Sequence, residues 1–147
     1  YDLDLIKHQI RIAFGDKLGI EQKYITRKEH AIECRINAED VSRNFAPCPG
    51  KIEFCSFPGG PNVRVDSHIF SGYKIPPYYD SMLAKLVTWG KDRKSAIKTM
   101  NRALDEFIIE GVKTTIPFHK RMINHSRFVS GDFGINFGEE FISSQKW

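Results

Sequence analysis

The chain has 147 residues, 41% of them hydrophobic, which suits one globular domain with a real core and excludes a disordered segment. Its net charge of +4 is the small difference between 22 basic and 18 acidic side chains interspersed along the sequence. There is no run of five or six Lys/Arg, no aromatic-basic interleaving and no apolar run of membrane-spanning length, so neither a nucleic-acid nor a membrane partner is expected.

No signal peptide is visible and the first residue is Tyr1, so the chain is expected to be a piece of something longer. Cys34, Cys48 and Cys55 are odd in number and lack C-x-x-C spacing. They predict buried or half-buried thiols in a reducing compartment, with no disulfide framework and no metal site.

Asp2 or Asp4 caps a predicted short amphipathic helix with Leu5, Ile6, Ile10, Ala13 and Phe14 at helical spacing and Gly15 at its end. Residues 16–28 read as a connector. From His30 to Asn37 apolar and polar residues alternate, predicting a half-buried strand with Ile32, Cys34 and Ile36 inward and Glu33 and Arg35 outward, paired with each other or with a facing domain. The nearest His–Cys pair, His30 and Cys34, is assigned to opposite faces. Residues 41–49 form a loop anchored by Phe45. Lys51–Phe57 is read as a second strand with Ile52 and Phe54 on one side, joined by Pro58-Gly59-Gly60-Pro61 to an antiparallel partner.

That partner carries the polar face of most interest. Val63, Val65 and Ile69 fall on one side, and Arg64, Asp66, His68 and Phe70 on the other. One arginine, one carboxylate and one imidazole then point the same way, which fits an anion- or carbonyl-binding face and equally the exposed face of an ordinary strand. Pro76-Pro77-Tyr78-Tyr79 is expected to be extended and inaccessible between strands. Ser81–Trp89 has apolar residues on both faces, as a central or covered strand does, with Lys85 either snorkelling or pairing with a carboxylate such as Asp80. A long helix is predicted from Asp92 to Glu110, closed by Gly111, a second begins near Pro117 after Thr114 or Thr115, and a last amphipathic element uses Phe137, Phe141 and Ile142. The fold class is α+β: a small antiparallel β-sheet covered by helices from the C-terminal half. Phosphate-loop, dinucleotide, nucleophile-elbow and zinc-protease motifs are absent, and the histidines are scattered.

Several strings resemble the C-terminal domain of biotin carboxylase in the right order. They are His30-Ala31-Ile32-Glu33-Cys34-Arg35-Ile36-Asn37-Ala38-Glu39-Asp40, Pro49-Gly50-Lys51-Ile52 and Val63-Arg64-Val65-Asp66-Ser67-His68, then the run from Pro76 to Leu86 and Glu110-Gly111-Val112-Lys113-Thr114-Thr115. Glu29, Val41 and Cys48 depart from the family pattern, where Gly, Pro and Ser are common. The resemblance implies that residues 1–28 are the end of an ATP-grasp helix and a connector, and residues 29–147 the C-terminal domain.

In that family ATP, Mg²⁺ and bicarbonate give carboxyphosphate, and carbon dioxide passes to the ureido nitrogen of biotin borne on a carrier protein. The resemblance places Arg64 at the ureido oxygen as the catalytic and biotin-binding residue, with Asp66 and His68 behind it. It also puts Ile135 beside the adenine, and Trp89 and Arg93 at a homodimer interface. The nucleotide, Mg²⁺ and bicarbonate groups lie upstream in the family, so the chain alone is expected to be inactive. The implied partners are the biotin carboxyl carrier protein and carboxyltransferase subunits of an acetyl-CoA carboxylase in fatty acid synthesis, in a bacterial cytoplasm or a plastid stroma. A fused pyruvate, propionyl-CoA or urea carboxylase, or a noncatalytic dimerisation module, are the alternatives.

Overall fold

Period-two alternation builds the centre of the molecule, and a helix with apolar residues at helical spacing closes one side of it. The structure is a computed structural model that describes residues 3–145. The chain runs α1 (Leu5–Ala13), β1 (His30–Asn37), β2 (Glu39–Asp40), β3 (Ala46–Pro47), β4 (Phe54–Ser56), β5 (Val63–Ser67) and β6 (Met82–Gly90). It continues through α2 (Arg93–Glu106), β7 (Ile108–Glu110), α3 (Ile116–Ile123), α4 (Ser126–Ser130) and α5 (Phe137–Ser144).

The main sheet is antiparallel with order β1-β6-β5, so the strand that is apolar on both faces sits in the middle. Its inner face carries Ile32, Cys34 and Ile36 from β1 and Ala84 and Leu86 from β6, all buried. Against them lie Ala96, Ile97, Met100, Ala103 and Leu104 of α2, then Phe107, and Ile116 and Ile123 of α3. Each large side chain buried there contributes about 1.5–3 kcal/mol. Asp92 starts α2 by accepting the Ser95 N–H at 2.7 Å. A second cluster, Ala38, Ile52, Ile69, Ile75 and Leu83, covers the outer face only at the Leu83 end of β6.

The structure departs from the sequence reading at several points. β4 spans only Phe54–Ser56 and pairs with β7 rather than with β5. Ile52 is fully buried while Phe54 is exposed, so the two do not share a side. The Pro58–Pro61 turn therefore carries the chain from a two-stranded ribbon into the main sheet. The residues of β7 do not form the last turn of α2, as their apolar spacing predicts. Instead Phe107 leaves the helix at ψ 107° and buries its ring, freeing the β-branched pair Ile108-Ile109 to extend along β4. His30 and Cys34 share the inward face, being four apart on one strand. Burial pushes the Cys34 thiol up to about 12, so it is inert at neutral pH. Tyr78 and Tyr79, expected to be inaccessible, are 85% and 81% exposed.

Asp4 caps α1 by accepting the Lys7 N–H at 2.9 Å; Asp2, the other expected cap, lies outside the described residues. No residue of α1 is buried against the rest of the described chain. Phe45 anchors its loop edge-on against Phe118, with ring centroids 5.1 Å apart. Phe137 and Phe141 of α5 are buried, as the amphipathic pattern requires, and Ile142 is half-buried.

The open face of the sheet as candidate active site

The helices cover one face of the main sheet and leave most of the other open. Register fixes what that open face displays. Arg64 and Glu33 lie on either side of Val87, while Asp66 and Arg35 flank Lys85. All but Val87 are exposed, and Val87 forms a half-buried apolar floor between them.

Arg64 donates from Nε to Asp66 Oδ1 at 2.9 Å. The carboxylate takes the inner edge of the guanidinium and raises its already high pKa, so the charge is permanent. The two Nη groups are left as donors, and the Arg64 side chain is 68% exposed. Period two over β5 brings these two residues together, as the alternation requires. His68 does not join them: β5 ends at Ser67, and the His68 ring turns edge-on to Tyr73 at 5.3 Å. The break comes where the Ser67 hydroxyl donates to the Leu83 carbonyl at 2.7 Å and accepts from the Ile69 N–H at 3.3 Å. Ile69 turns into the second core cluster, and Phe70 stays exposed against Tyr73.

The other expected residues lie apart from this pair. Trp89 is half-buried on the same face of β6, near the Gly90 end. Arg93 is turned inward: Nη1 meets His30 Nε2 at 3.0 Å, Nε donates to the Phe128 carbonyl at 3.2 Å, and the guanidinium stacks 4.7 Å from the Phe128 ring. Ile135 is fully exposed between α4 and α5. Arg35 pairs with Asp80 at 3.8 Å, so the carboxylate expected for Lys85 serves Arg35 instead, and Arg35 does not depend on Glu33.

A polar group behind the face has no counterpart in the sequence reading. The Arg35 carbonyl accepts from Thr115 Oγ1 at 3.1 Å and from His119 Nε2 at 2.8 Å, and Thr115 Oγ1 accepts the Asn37 N–H at 3.0 Å. These bonds stitch the irregular end of β1 to the start of α3 across some 80 residues of sequence. No local pattern signals a pairing of that span. Thr115, read as a helix cap, makes no side-chain cap bond because its hydroxyl is engaged here.

Burial lowers the His119 pKa, outweighing the raising effects of the Arg35 carbonyl and Glu39. The unfolded chain thus binds the imidazole proton more readily than the folded one. Its contribution to stability is complete above the ordinary value of 6.5 and is lost as the pH falls from there to the depressed value. Thermal melts of the chain between pH 8 and 5 should show a decline that His119→Gln flattens. An equal slope in both proteins would overturn the assignment. Asp40 and Asp92, lowered by hydrogen bonds from Ser42 and Ser95, titrate below 3.8 and do not confound that window.

A family model for the biotin carboxylase C-terminal domain matches residues 33–140. The chain belongs to the biotin carboxylase C-terminal domain family. It is 54% identical over 138 residues to biotin carboxylase 1 of Bacillus subtilis, covering 94% of this chain and 31% of that protein. It is 53% identical over 139 residues to a pyruvate carboxylase subunit of Methanothermobacter thermautotrophicus, covering 95% and 28%. The biotin carboxylase domain dimer of Hydrogenobacter thermophilus 2-oxoglutarate carboxylase, solved with MgADP, ADP and bicarbonate, superposes with a TM-score of 0.87 at 43% identity. That match covers 94% of this chain and 30% of that one. The chain thus spans under a third of each of these relatives.

Within this biotin carboxylase C-terminal domain the donor set does not fit a magnesium-nucleotide centre. Among the described residues no three His, Cys, Asp or Glu side chains converge to hold a metal. Its polar face instead sets three cations, Arg35, Arg64 and Lys85, and two carboxylates, Glu33 and Asp66, around an apolar floor, and the Arg64 Nη donors suit a neutral carbonyl or an anion. No helix among the described residues is long and apolar enough to cross a membrane.

Proposed function

We propose that this domain is the C-terminal part of a biotin carboxylase, which uses ATP and bicarbonate to carboxylate the ureido nitrogen of carrier-borne biotin. The observation that carries the reading is the Arg64–Asp66 pair, aimed off an open sheet face within the family-matched segment. Arg64 offers its Nη donors to the ureido oxygen. Negative charge builds on that oxygen as the neighbouring nitrogen loses its proton, and a fixed guanidinium stabilises it without reorganising. Asp66 sets the side chain's direction by holding Nε. His68, turned to Tyr73, has only an indirect part.

ATP, Mg²⁺ and the activation of bicarbonate belong to the ATP-grasp portion of such an enzyme. α1 and residues up to 28 form its last helix and the connector, which accounts for the exposed apolar face of α1. Ile135 contributes at most an adenine contact. Trp89 forms part of a homodimer contact, with Arg93 behind it pinning α4 to the corner after β6. The carrier protein and carboxyltransferase subunits are the partners, in a bacterial cytoplasm or plastid stroma, and acetyl-CoA carboxylase in fatty acid synthesis is the parent. The similarity to a pyruvate carboxylase component keeps a pyruvate-directed parent as the second reading.

The chain alone is expected to hydrolyse no ATP. Mixing it with a separately produced ATP-grasp portion of a family member should restore bicarbonate- and biotin-dependent ATP hydrolysis. Dimerisation without restored turnover would instead favour an assembly module, and ATPase activity in the isolated chain would overturn the division of labour.

A further inference from the structure

We infer that Lys85 is a second binding residue of the open face, and that it holds the carboxylate that appears on the ureido nitrogen. The inference rests on biotin lying against Arg64. Lys85 stands on the central strand, and its cross-strand neighbours are Asp66 and Arg35. Both nearby carboxylates are engaged elsewhere: Asp66 with Arg64 Nε at 2.9 Å, Asp80 with Arg35 at 3.8 Å. Glu33, diagonal to Lys85 across Val87, forms no ion pair with it. Among the described residues Lys85 has no ion pair at all, while a cation stands directly opposite it in register. Like charges opposed on one sheet face destabilise the pairing. That leaves the Lys85 ammonium available to an anion from outside.

The position identifies the anion. Arg64 lies opposite Val87, so Lys85 is its diagonal neighbour, about 7–8 Å away and somewhat closer between Cβ atoms. Two long cationic side chains at that spacing converge on a group a few atoms wide. In carboxylation the ureido N–H gives its proton to a base; phosphate released from carboxyphosphate is basic enough. The nitrogen pair then forms a bond to the carbon of carbon dioxide, and the pair displaced from one C=O bond stays on oxygen. Free biotin has no charge at this nitrogen, whereas the product has a carboxylate beside the ureido oxygen. With Arg64 on the oxygen, Lys85 meets the new carboxylate. Its interaction is therefore absent with substrate, partial in the transition state and complete with product.

That timing gives a signature that a merely solubilising lysine lacks. The overall equilibrium forces kcat/KM to fall equally in both directions, but through different components. In an enzyme of full family length carrying this sequence, Lys85→Gln should lower forward kcat about tenfold or more, with the KM for biotinylated carrier protein unchanged. In reverse, with carboxylated carrier protein and ADP plus phosphate, the KM for the carrier should rise by a larger factor, with kcat somewhat raised, because the bound carboxylate loses more than the transition state does. Lys85→Arg should stay within about threefold of the parent in both directions, because the charge is kept. A forward biotin KM that rises with the reverse one would overturn the inference, as would changes below about twofold in both directions. The same preparation with Arg64→Ala separates the two readings. If Arg64→Ala loses biotin coupling and Lys85→Gln changes nothing, Lys85 alone is misassigned. If Arg64→Ala keeps full coupling, biotin does not lie on this face and both readings fail.

Discussion

Arg64→Ala, placed in an enzyme of full family length, is expected to lower biotin-dependent ATP hydrolysis by about 10²–10³-fold, the usual loss when an oxyanion donor is removed. Basal, biotin-independent hydrolysis should persist, because the proposed division of labour gives activation of bicarbonate to the ATP-grasp portion. The reason for so large an effect is geometric. Asp66 occupies Nε, so the Nη donors are fixed in direction before biotin arrives, and no reorganisation accompanies the rise of charge on the ureido oxygen. Arg64→Lys should recover only part of the rate. Lysine keeps the charge but has no planar fork for Asp66 to orient, and its single ammonium cannot bond the carboxylate and the oxyanion from opposite edges. Steady-state ATPase with and without biotin distinguishes the cases. Full coupling in Arg64→Ala would return β5 to a purely structural role.

How much of this is legible in the sequence depends on the range of the interaction involved. The alternation over residues 30–37 and 63–67 suffices to find β1 and β5, because one half-buried face imposes period two on consecutive residues. The same logic places Arg64 beside Asp66. It fails for His68, where the strand ends because the Ser67 hydroxyl bonds a carbonyl on β6, a contact no local pattern encodes. It also fails for β4 and β7. Short ribbons lack enough residues to show a period, and their pairing depends on where Phe107 finds burial. The lack of an ion pair at Lys85 is hidden for a related reason: Asp80 is near in sequence, yet in the fold it meets Arg35. The stitch from Arg35 through Thr115 and His119 is longer in range still, and only the folded chain brings those groups together.

Gly111 carries the largest stability effect expected of any single conservative change. Its φ of +96° lies in the left-handed region, and a Cβ there would stand 2.3 Å from the Lys51 carbonyl and 2.9 Å from the Glu53 nitrogen. Both are backbone atoms and cannot swing aside as a flexible side chain would. Gly111 therefore does not end a helix, as its place after the apolar run implies. It lets β7 turn away at the point where the Glu53 N–H donates to the Glu110 carbonyl at 2.9 Å. Gly111→Ala adds conformational strain of about 1–3 kcal/mol to a steric cost of similar size, together about 2–6 kcal/mol. Gly15 provides the matched control. Its φ is +94°, but nothing lies within 4 Å of its Cβ position, so Gly15→Ala has only the strain. Melts of this chain should place Gly111→Ala about 10 °C or more below the parent and Gly15→Ala within a few degrees of it. Equal shifts in the two variants would mean that β4 and β7 yield easily at Gly111. The ribbon would then be a loose appendage, and the turn leading into Thr115 would not hold the end of β1 in place.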